Sequence, residues 1–207
     1  STDVDSLGYD EFRRLPADAQ LDRRDRVRTW LRRARDRAHE SAAATDPAAR
    51  TARLREAVDA CATAAGLVPY LPDAWLEYAR HLNALGEYAD ASACLEHFWL
   101  TLRYERRENQ RRELAGQAHA IAARVTFNLG AAERSEAEAR AALEIDPDDD
   151  ETRLVLVRAL IQAERFDEAR AAVAEFDTRG PLYPHVLAVR GVLEMRAGHL
   201  PAAAEAF

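Results

Sequence analysis

The sequence predicts an all-α fold built from antiparallel helix pairs, and three observations predict it. The first is composition: about a fifth of the 207 residues are alanine and 48% are apolar, whereas glycine and proline number eight each, which favours helices around a real core. The second is a repeat with a period of 34 residues. The third is a set of apolar residues spaced along single helical faces.

The charge distribution argues against two classes of protein. The formal net charge is −7, so the chain lacks the dominant basic surface that general nucleic-acid binding requires. The charge is uneven, with eight arginines against four acids in residues 22–40 and nine acids against two arginines in residues 133–151. No apolar stretch approaches the roughly 20 residues of a membrane span. We therefore expect a cytoplasmic protein, while the start at Ser1 leaves export with a removed signal open.

The 34-residue repeat runs from Gly116 to the end of the chain. Sliding the sequence against itself places related positions in shared columns: Ala123, Val157 and Gly191; Thr126, Leu160 and Glu194; Gly130, Glu164 and Gly198; Ala132, Phe166 and Leu200; Ser135, Ala169 and Ala203; Ala139, Val173 and Phe207. The column that contains two glycines marks a turn between two helices. Units of this length stack so that neighbours bury a continuous core.

A further copy of the repeat begins near Pro72. Its first helix has one apolar face, made of Trp75, Tyr78, Ala79 and Leu82. Gly86 ends that helix, and a second helix follows with its own apolar stripe, made of Tyr88, Ala91, Leu95 and Phe98. With these residues the chain resembles the tetratricopeptide repeat, whose pattern is W-x2-L-G-x2-Y, then A-x3-F, then A and P.

This resemblance covers residues 72–207 and implies the architecture. It implies a right-handed superhelical solenoid of antiparallel helix pairs, with about four to five repeats of which the last is incomplete. The chain departs from the family pattern at the close-packing glycine slot, which only Gly191 keeps. We divide this region into repeats at 72–115, 116–149 and 150–183, followed by a truncated repeat at 184–207.

The repeat at 72–115 is ten residues longer than the family length, and the stretch LRYERRENQRRE supplies the excess. It contains no glycine or proline, so no stop signal ends the preceding helix. We expect the second helix of this repeat, and with it the first helix of the next, to run on past the array. Asn109 is the expected break, because asparagine tolerates a left-handed cap.

Upstream, residues 21–71 predict a helix pair that is longer than a standard repeat. The first helix runs from Leu21 to about Ala44, with an inward face made of Val27, Trp30, Leu31, Ala34 and Ala38. Pro47 starts the second helix, since proline suits a first helical turn. Residues 1–20 show no period, and we expect an extended or poorly ordered arm there.

Catalytic and metal-binding signatures are missing from the sequence. No nucleophile beside a base, phosphate-binding glycine loop or metal-ligand spacing is found, which indicates a non-enzymatic chain without metal or cofactor. Cys61 and Cys94 lie in alanine-rich apolar patterns, so we expect buried free thiols.

The resemblance also implies a binding face on the first helix of each repeat, where ligand-facing places recur. The ninth place of three successive repeats holds Arg80, Arg124 and Arg158. The polar residues at the twelfth or thirteenth places are Asn83, Asn128, Gln162 and Arg196, and the apolar ones at the fifth are Leu76, Ala120 and Leu154. Arginine binds carboxylates through two parallel hydrogen bonds, which indicates an acidic or extended segment, or a free carboxylate, of another protein.

Three alternatives stay open on the sequence alone. The arginines can be solvated residues that pair with nearby acids, for instance with Glu151 of an adjacent repeat. The chain can self-associate as a scaffold, with residues 22–40 of one copy meeting residues 133–151 of another. It can also be the regulatory repeat region of a larger enzyme or transcription factor.

Overall fold

The computed structural model describes residues 9–176 and 182–206; residues 1–8 of the expected arm, Pro181 and Phe207 lie outside this part. All regular structure in it is helical. The helices in chain order are α1 (Tyr9–Arg14), α2 (Ala17–Ala43), α3 (Pro47–Leu67), α4 (Pro72–Leu85), α5 (Tyr88–Leu102), α6 (Glu108–Asn128), α7 (Ala132–Ile145), α8 (Asp150–Gln162), α9 (Phe166–Ala174), α10 (Tyr183–Arg196) and α11 (Leu200–Ala206). None of these helices combines the length and apolarity that crossing a bilayer requires.

The chain divides into two compact units, Ser1–Ala118 (unit 1) and His119–Phe207 (unit 2), and the boundary falls within α6. Helices that follow one another pair within each unit, as α2 does with α3, α4 with α5, α7 with α8, and α10 with α11. The predicted all-α repeat fold is thus confirmed.

Unit 1 buries an aromatic-rich core. The inward face predicted for α2 is correct at Val27, Leu31 and Ala34, which are all buried, and α3 covers them with small residues such as Cys61. Pro47 is the first residue of α3, and the carboxylate of Asp46 accepts a hydrogen bond from the Ala49 N–H at 2.9 Å. Pro47 therefore occupies the first helical position, as predicted, and Asp46 adds the N-cap.

The expected extended arm is wrong for residues 9–20. Residues 9–14 form α1, and α2 begins at Ala17. Phe12 is buried, with its ring centroid 5.2 Å from that of Tyr70, and the Gln20 side-chain amide donates to the Leu15 carbonyl at 2.7 Å. One anchoring aromatic and one capping amide hold a helix that is too short to show a period.

The expected extension of the second helix in the repeat at 72–115 is also wrong. That helix, α5, ends at Leu102, whereas the first helix of the next repeat, α6, starts early at Glu108, so the break precedes Asn109. Tyr104 packs beside Tyr70, with ring centroids 6.2 Å apart, and the Glu105 carboxylate accepts the Arg107 N–H at 2.8 Å. A distant aromatic contact and a local side-chain hydrogen bond therefore end the helix without glycine or proline.

Unit 2 has a largely aliphatic core, and several of its members come from the repeat columns. Its fully buried members include Val157, Leu160 and Leu193. The Ser135 hydroxyl donates to the Ala123 carbonyl at 2.8 Å, which ties α7 to α6. In the turn column, Gly130 and Gly198 have φ angles of 80° and 84°, and Glu164 adopts a similar φ of 61°.

Candidate functional site

The seven residues predicted to bind a partner lie on α4, α6, α8 and α10, and they differ in how strongly the chain already engages them. Arg80 of α4 is committed within unit 1. Its Nη2 donates to Gln117 Oε1 at 2.9 Å, and its Nε lies 3.6 Å from Glu77 Oε2. A ligand carboxylate at this place would compete with both neighbours.

Arg124 of α6 makes a contact that is easier to exchange. Its Nη2 lies 3.0 Å from Glu151 Oε2, and the Glu151 side chain is 66% exposed. Exposed ion pairs contribute about 0 to 1 kcal/mol because water and salt screen them. The adjacent Asn128 spends its Nδ2 on the Arg124 carbonyl at 2.8 Å, which leaves its amide oxygen as the group to offer a ligand.

The remaining residues predicted in unit 2 are the least engaged. Arg158 and Gln162 on α8 and Arg196 on α10 are exposed. In the part of the chain that the structure describes, none of the three forms an ion pair or a side-chain hydrogen bond. Arg158 is thus an exposed arginine on the predicted face for which the described residues supply no partner.

The apolar residues predicted beside the arginines are mostly covered. Leu76, Ala120 and Leu154 are 2%, 8% and 7% exposed, so they offer a ligand little surface. Asn83 is half-buried, and its Oδ1 is buried with no hydrogen-bond partner among the described residues. A buried amide oxygen without a donor is costly, so Asn83 can gain from a donor that a ligand supplies.

Two charged clusters in the structure were not predicted from the sequence. Glu77 receives Arg35 Nε and Nη2 on one oxygen at 3.2 and 3.1 Å, from a helix 42 residues upstream. Glu194 receives Arg170 Nε at 2.9 Å and Arg170 Nη2 at 3.1 Å. Both contacts join residues far apart in sequence. Glu194 shares its repeat column with Thr126 and Leu160, which are buried, and that column is the signal that could have marked it as a buried acid.

Glu194 belongs to a closed network in unit 2. The residue is 8% exposed, and His199 Nδ1 lies 3.0 Å from its Oε2. The hydrogen bonds from Arg170, and after them the one from His199, hold the pKa of Glu194 at about 2, although burial opposes this shift. The cluster joins α9 to α10. Because its donors already form hydrogen bonds within the chain, we assign it a structural role.

The predicted buried free thiols are confirmed. Cys61 and Cys94 are both free and buried, and desolvation raises the pKa of each thiol to about 12. Both are therefore protonated at neutral pH and poor nucleophiles. Among the described residues, no group of three His, Cys, Asp or Glu side chains is arranged to hold a metal ion.

Comparisons with known proteins support the helical repeat. The family model described as "Tetratricopeptide repeat" matches residues 127–193. A solved structure titled "MamA RS-1 ArsTM double mutant" superposes with a TM-score of 0.57 at 16% sequence identity, covering 84% of this chain and 90% of that one. This likeness bears on the fold alone. No curated protein matches the chain.

Proposed function

Because the chain is a tetratricopeptide-repeat protein, and such repeats form protein-interaction modules, we propose that it is a non-enzymatic module that binds an acidic or extended segment of another protein. The ligand lies along the first helices of the repeats. Arg124, Arg158 and Arg196 bind its carboxylates, assisted by Asn128 and Gln162.

One observation carries this proposal. Arg158 is exposed on the predicted face and has no ion pair or hydrogen bond in the described residues, although acids are abundant in this chain. Most other arginines of unit 2 are paired, as Arg140, Arg153 and Arg165 show. An arginine left unpaired in such a surface is available to a carboxylate from outside.

The arginine of unit 1 has a smaller part in the same proposal. Arg80 must give up its hydrogen bond to Gln117 before it can bind a ligand carboxylate. Asn83 has to turn its buried, unpartnered Oδ1 outward before this oxygen can accept a hydrogen bond from a ligand. We therefore expect Arg80 and Asn83 of unit 1 to contribute less than the arginines of unit 2.

We also propose that the chain works in the cytoplasm. The support is chemical: both cysteines are free thiols, the state that a reducing compartment maintains. Locating the tagged chain by cell fractionation tests this proposal, and recovery from an oxidising compartment would contradict it.

The binding test uses fluorescence anisotropy of the full chain with a capped, dye-labelled peptide that carries four glutamates. A peptide with four glutamines is the neutral counterpart. We expect the Arg124→Gln, Arg158→Gln, Arg196→Gln variant to bind the glutamate peptide at least about tenfold more weakly, since each charge-assisted hydrogen bond contributes roughly 1.5–3 kcal/mol before screening.

A charge-matched control separates a site from general attraction. Arg23→Gln, Arg32→Gln, Arg112→Gln removes three exposed arginines that have no ion pair in the described residues. We expect this control to bind within twofold of the unchanged chain. Equal losses in both variants, or equal binding of both peptides, would contradict the proposed site, and mass that rises with protein concentration would favour the scaffold alternative.

A further inference from the structure

The sequence that exceeds the repeat length builds one wall of a groove in unit 1. Five groove-lining residues come from this extra segment, namely Arg107, Glu108, Asn109, Gln110 and Glu113. The opposite wall belongs to α4 and to Arg35 of α2, and the groove encloses about 690 Å³. This volume suits one long side chain with its flanking backbone.

The floor of the groove is apolar and firmly held. Leu76 and Leu114 line it and are 2% and 6% exposed. One turn beyond Leu114, the hydrogen bond between Arg80 and Gln117 ties α4 to α6. The groove is therefore preformed, which lowers the entropic cost of binding.

The groove is lined by more carboxylates than arginines. Its lining includes Asp73, Glu77, Glu108 and Glu113 against only Arg35 and Arg107. Both arginines are already engaged, Arg35 by Glu77 and Arg107 by Glu105. The cations of the groove are thus occupied by acids of the chain itself.

Two carboxylates in the lining are left without a cation. Asp73 is half-buried and Glu113 is exposed, and within the described residues neither forms an ion pair. Burial raises the pKa of Asp73 above its ordinary value, as expected for a desolvated anion. A positive charge brought by a ligand would remove that penalty.

A buried histidine adds an independent sign of incompleteness. His81 is 5% exposed, and its Nε2 has no hydrogen-bond partner in the part of the chain described. This nitrogen lies 3.8 Å from Glu77 Oε2, on the carboxylate that lines the groove. Glu77 Oε2 is therefore left without a donor within hydrogen-bond distance among the described residues, since Arg80 Nε lies 3.6 Å away and His81 Nε2 3.8 Å.

From these observations we infer that the groove binds a basic side chain, arginine or lysine, of an extended partner segment. Asp73 and Glu113 bind its charged end, above the apolar floor that Leu76 and Leu114 form. This site lies in unit 1 and takes the charge opposite to that proposed for the arginines of unit 2. It stands independently of the proposed acidic ligand.

The test is calorimetric titration of the full chain with a capped peptide containing two arginines among leucines. The same peptide with citrulline, which keeps the shape of arginine without its charge, is the neutral probe. We expect Asp73→Asn, Glu113→Gln to weaken binding of the arginine peptide about tenfold or more. Glu133→Gln, Glu144→Gln changes the net charge equally at exposed acids of α7, and we expect it to bind within twofold of the unchanged chain.

The thermal midpoint of each variant checks that it is folded. If Asp73→Asn unfolds the chain, the single change Glu113→Gln, at an exposed position, is titrated instead. Equal binding of the arginine and citrulline peptides would overturn the inference, and so would equal losses in the groove and control variants. Preference for a glutamate peptide at the groove would overturn it as well. A concentration-dependent dimer that only the groove variant abolishes would assign the groove to a second copy.

Discussion

Glu77 in unit 1 and Glu194 in unit 2 both lie at the centre of charged clusters, but only one cluster is complete. Glu194 is 8% exposed, and Arg170 and His199 engage its two oxygens at 2.9 to 3.1 Å. Glu77 borders an open groove and receives Arg35 on one oxygen, whereas its other oxygen lies 3.6 Å from Arg80 Nε and 3.8 Å from His81 Nε2, beyond hydrogen-bond distance. A satisfied network fastens helices together, whereas an unsatisfied one beside a groove favours a ligand.

The hydrophobic cores of the two units differ in their aromatic content. The core of unit 1 contains aromatic residues from segments that lie far apart in sequence, such as Phe12, Tyr70 and Tyr104. The core of unit 2 consists mainly of leucine, valine and alanine, with Phe176 as its buried aromatic residue.

The largest expected difference between the two units is in thiol reactivity, because both cysteines of the chain lie in unit 1. Burial raises their pKa from 9.0 to about 12, so the thiolate fraction falls by about a thousandfold. We expect a thiol reagent at pH 8 to label both cysteines only as fast as unit 1 opens. Rapid labelling at the rate of an unfolded peptide would show that this core is not closed.

A second test compares two neighbours in α10 of unit 2. Leu193 is fully buried and Val192 is 41% exposed. We expect Leu193→Ala to lower the free energy of unfolding by about 2 to 5 kcal/mol because it leaves a cavity. Val192→Ala should cost less than about 0.5 kcal/mol, and urea unfolding measures both. Similar costs for the two changes would contradict the assignment of buried and exposed faces of α10.

A third test removes the charge at the centre of the complete cluster. We expect Glu194→Gln to lower the free energy of unfolding by about 1 to 3 kcal/mol at pH 7, because Arg170 loses its carboxylate. Glu144→Gln, at an exposed residue with no ion pair in the described part of the chain, should have little effect.

The Glu194→Gln variant also tests how the stability of the chain depends on pH. The pKa of Glu194 in the folded chain, about 2, lies below its ordinary value of 4.5, so its contribution is fully present above about pH 5 and lost as the pH falls toward 2. The difference in stability between the unchanged chain and Glu194→Gln should therefore shrink over this range. A constant difference would contradict the depressed pKa.

The smallest effect concerns the turn column of the repeat. Glu164 adopts a φ of 61°, where Gly130 and Gly198 stand in the equivalent turns. We expect Glu164→Gly to stabilise unit 2 by up to about 1 kcal/mol, since glycine adopts this conformation without steric cost. Gly130→Ala should destabilise by a similar amount, because its added Cβ meets no atom within 4 Å and the cost comes from the backbone alone. Thermal midpoints measure both, and a gain for Gly130→Ala would contradict this reasoning.

The sequence predicted the all-α repeat fold because each repeat contains the same local signals for where helices begin and end. Gly86 ends α4 with a φ of 82°, and Pro47 starts α3 beside its Asp46 cap. These signals act within a few residues and need no knowledge of tertiary packing.

The errors fall where a distant contact decides the local structure. The Tyr70 ring contacts both Phe12 and Tyr104, and it thereby helps to hold α1 and the turn after α5. No periodicity in residues 1–20 or 103–107 announces a partner so far along the chain. The same reason hid Glu77 and its pairing with Arg35.

The residues named for the binding face remain a prediction, and one measurement tests it together with the contrast between the two units. The ¹⁵N-labelled chain is titrated in turn with the glutamate peptide and with the arginine peptide, and the shifted amide signals are mapped. We expect the glutamate peptide to shift amides near Arg124, Arg158 and Arg196, and the arginine peptide to shift those of residues 73–77 and 113–117. Shifts in the same residues with both peptides, or in neither region, would contradict the two opposite binding preferences.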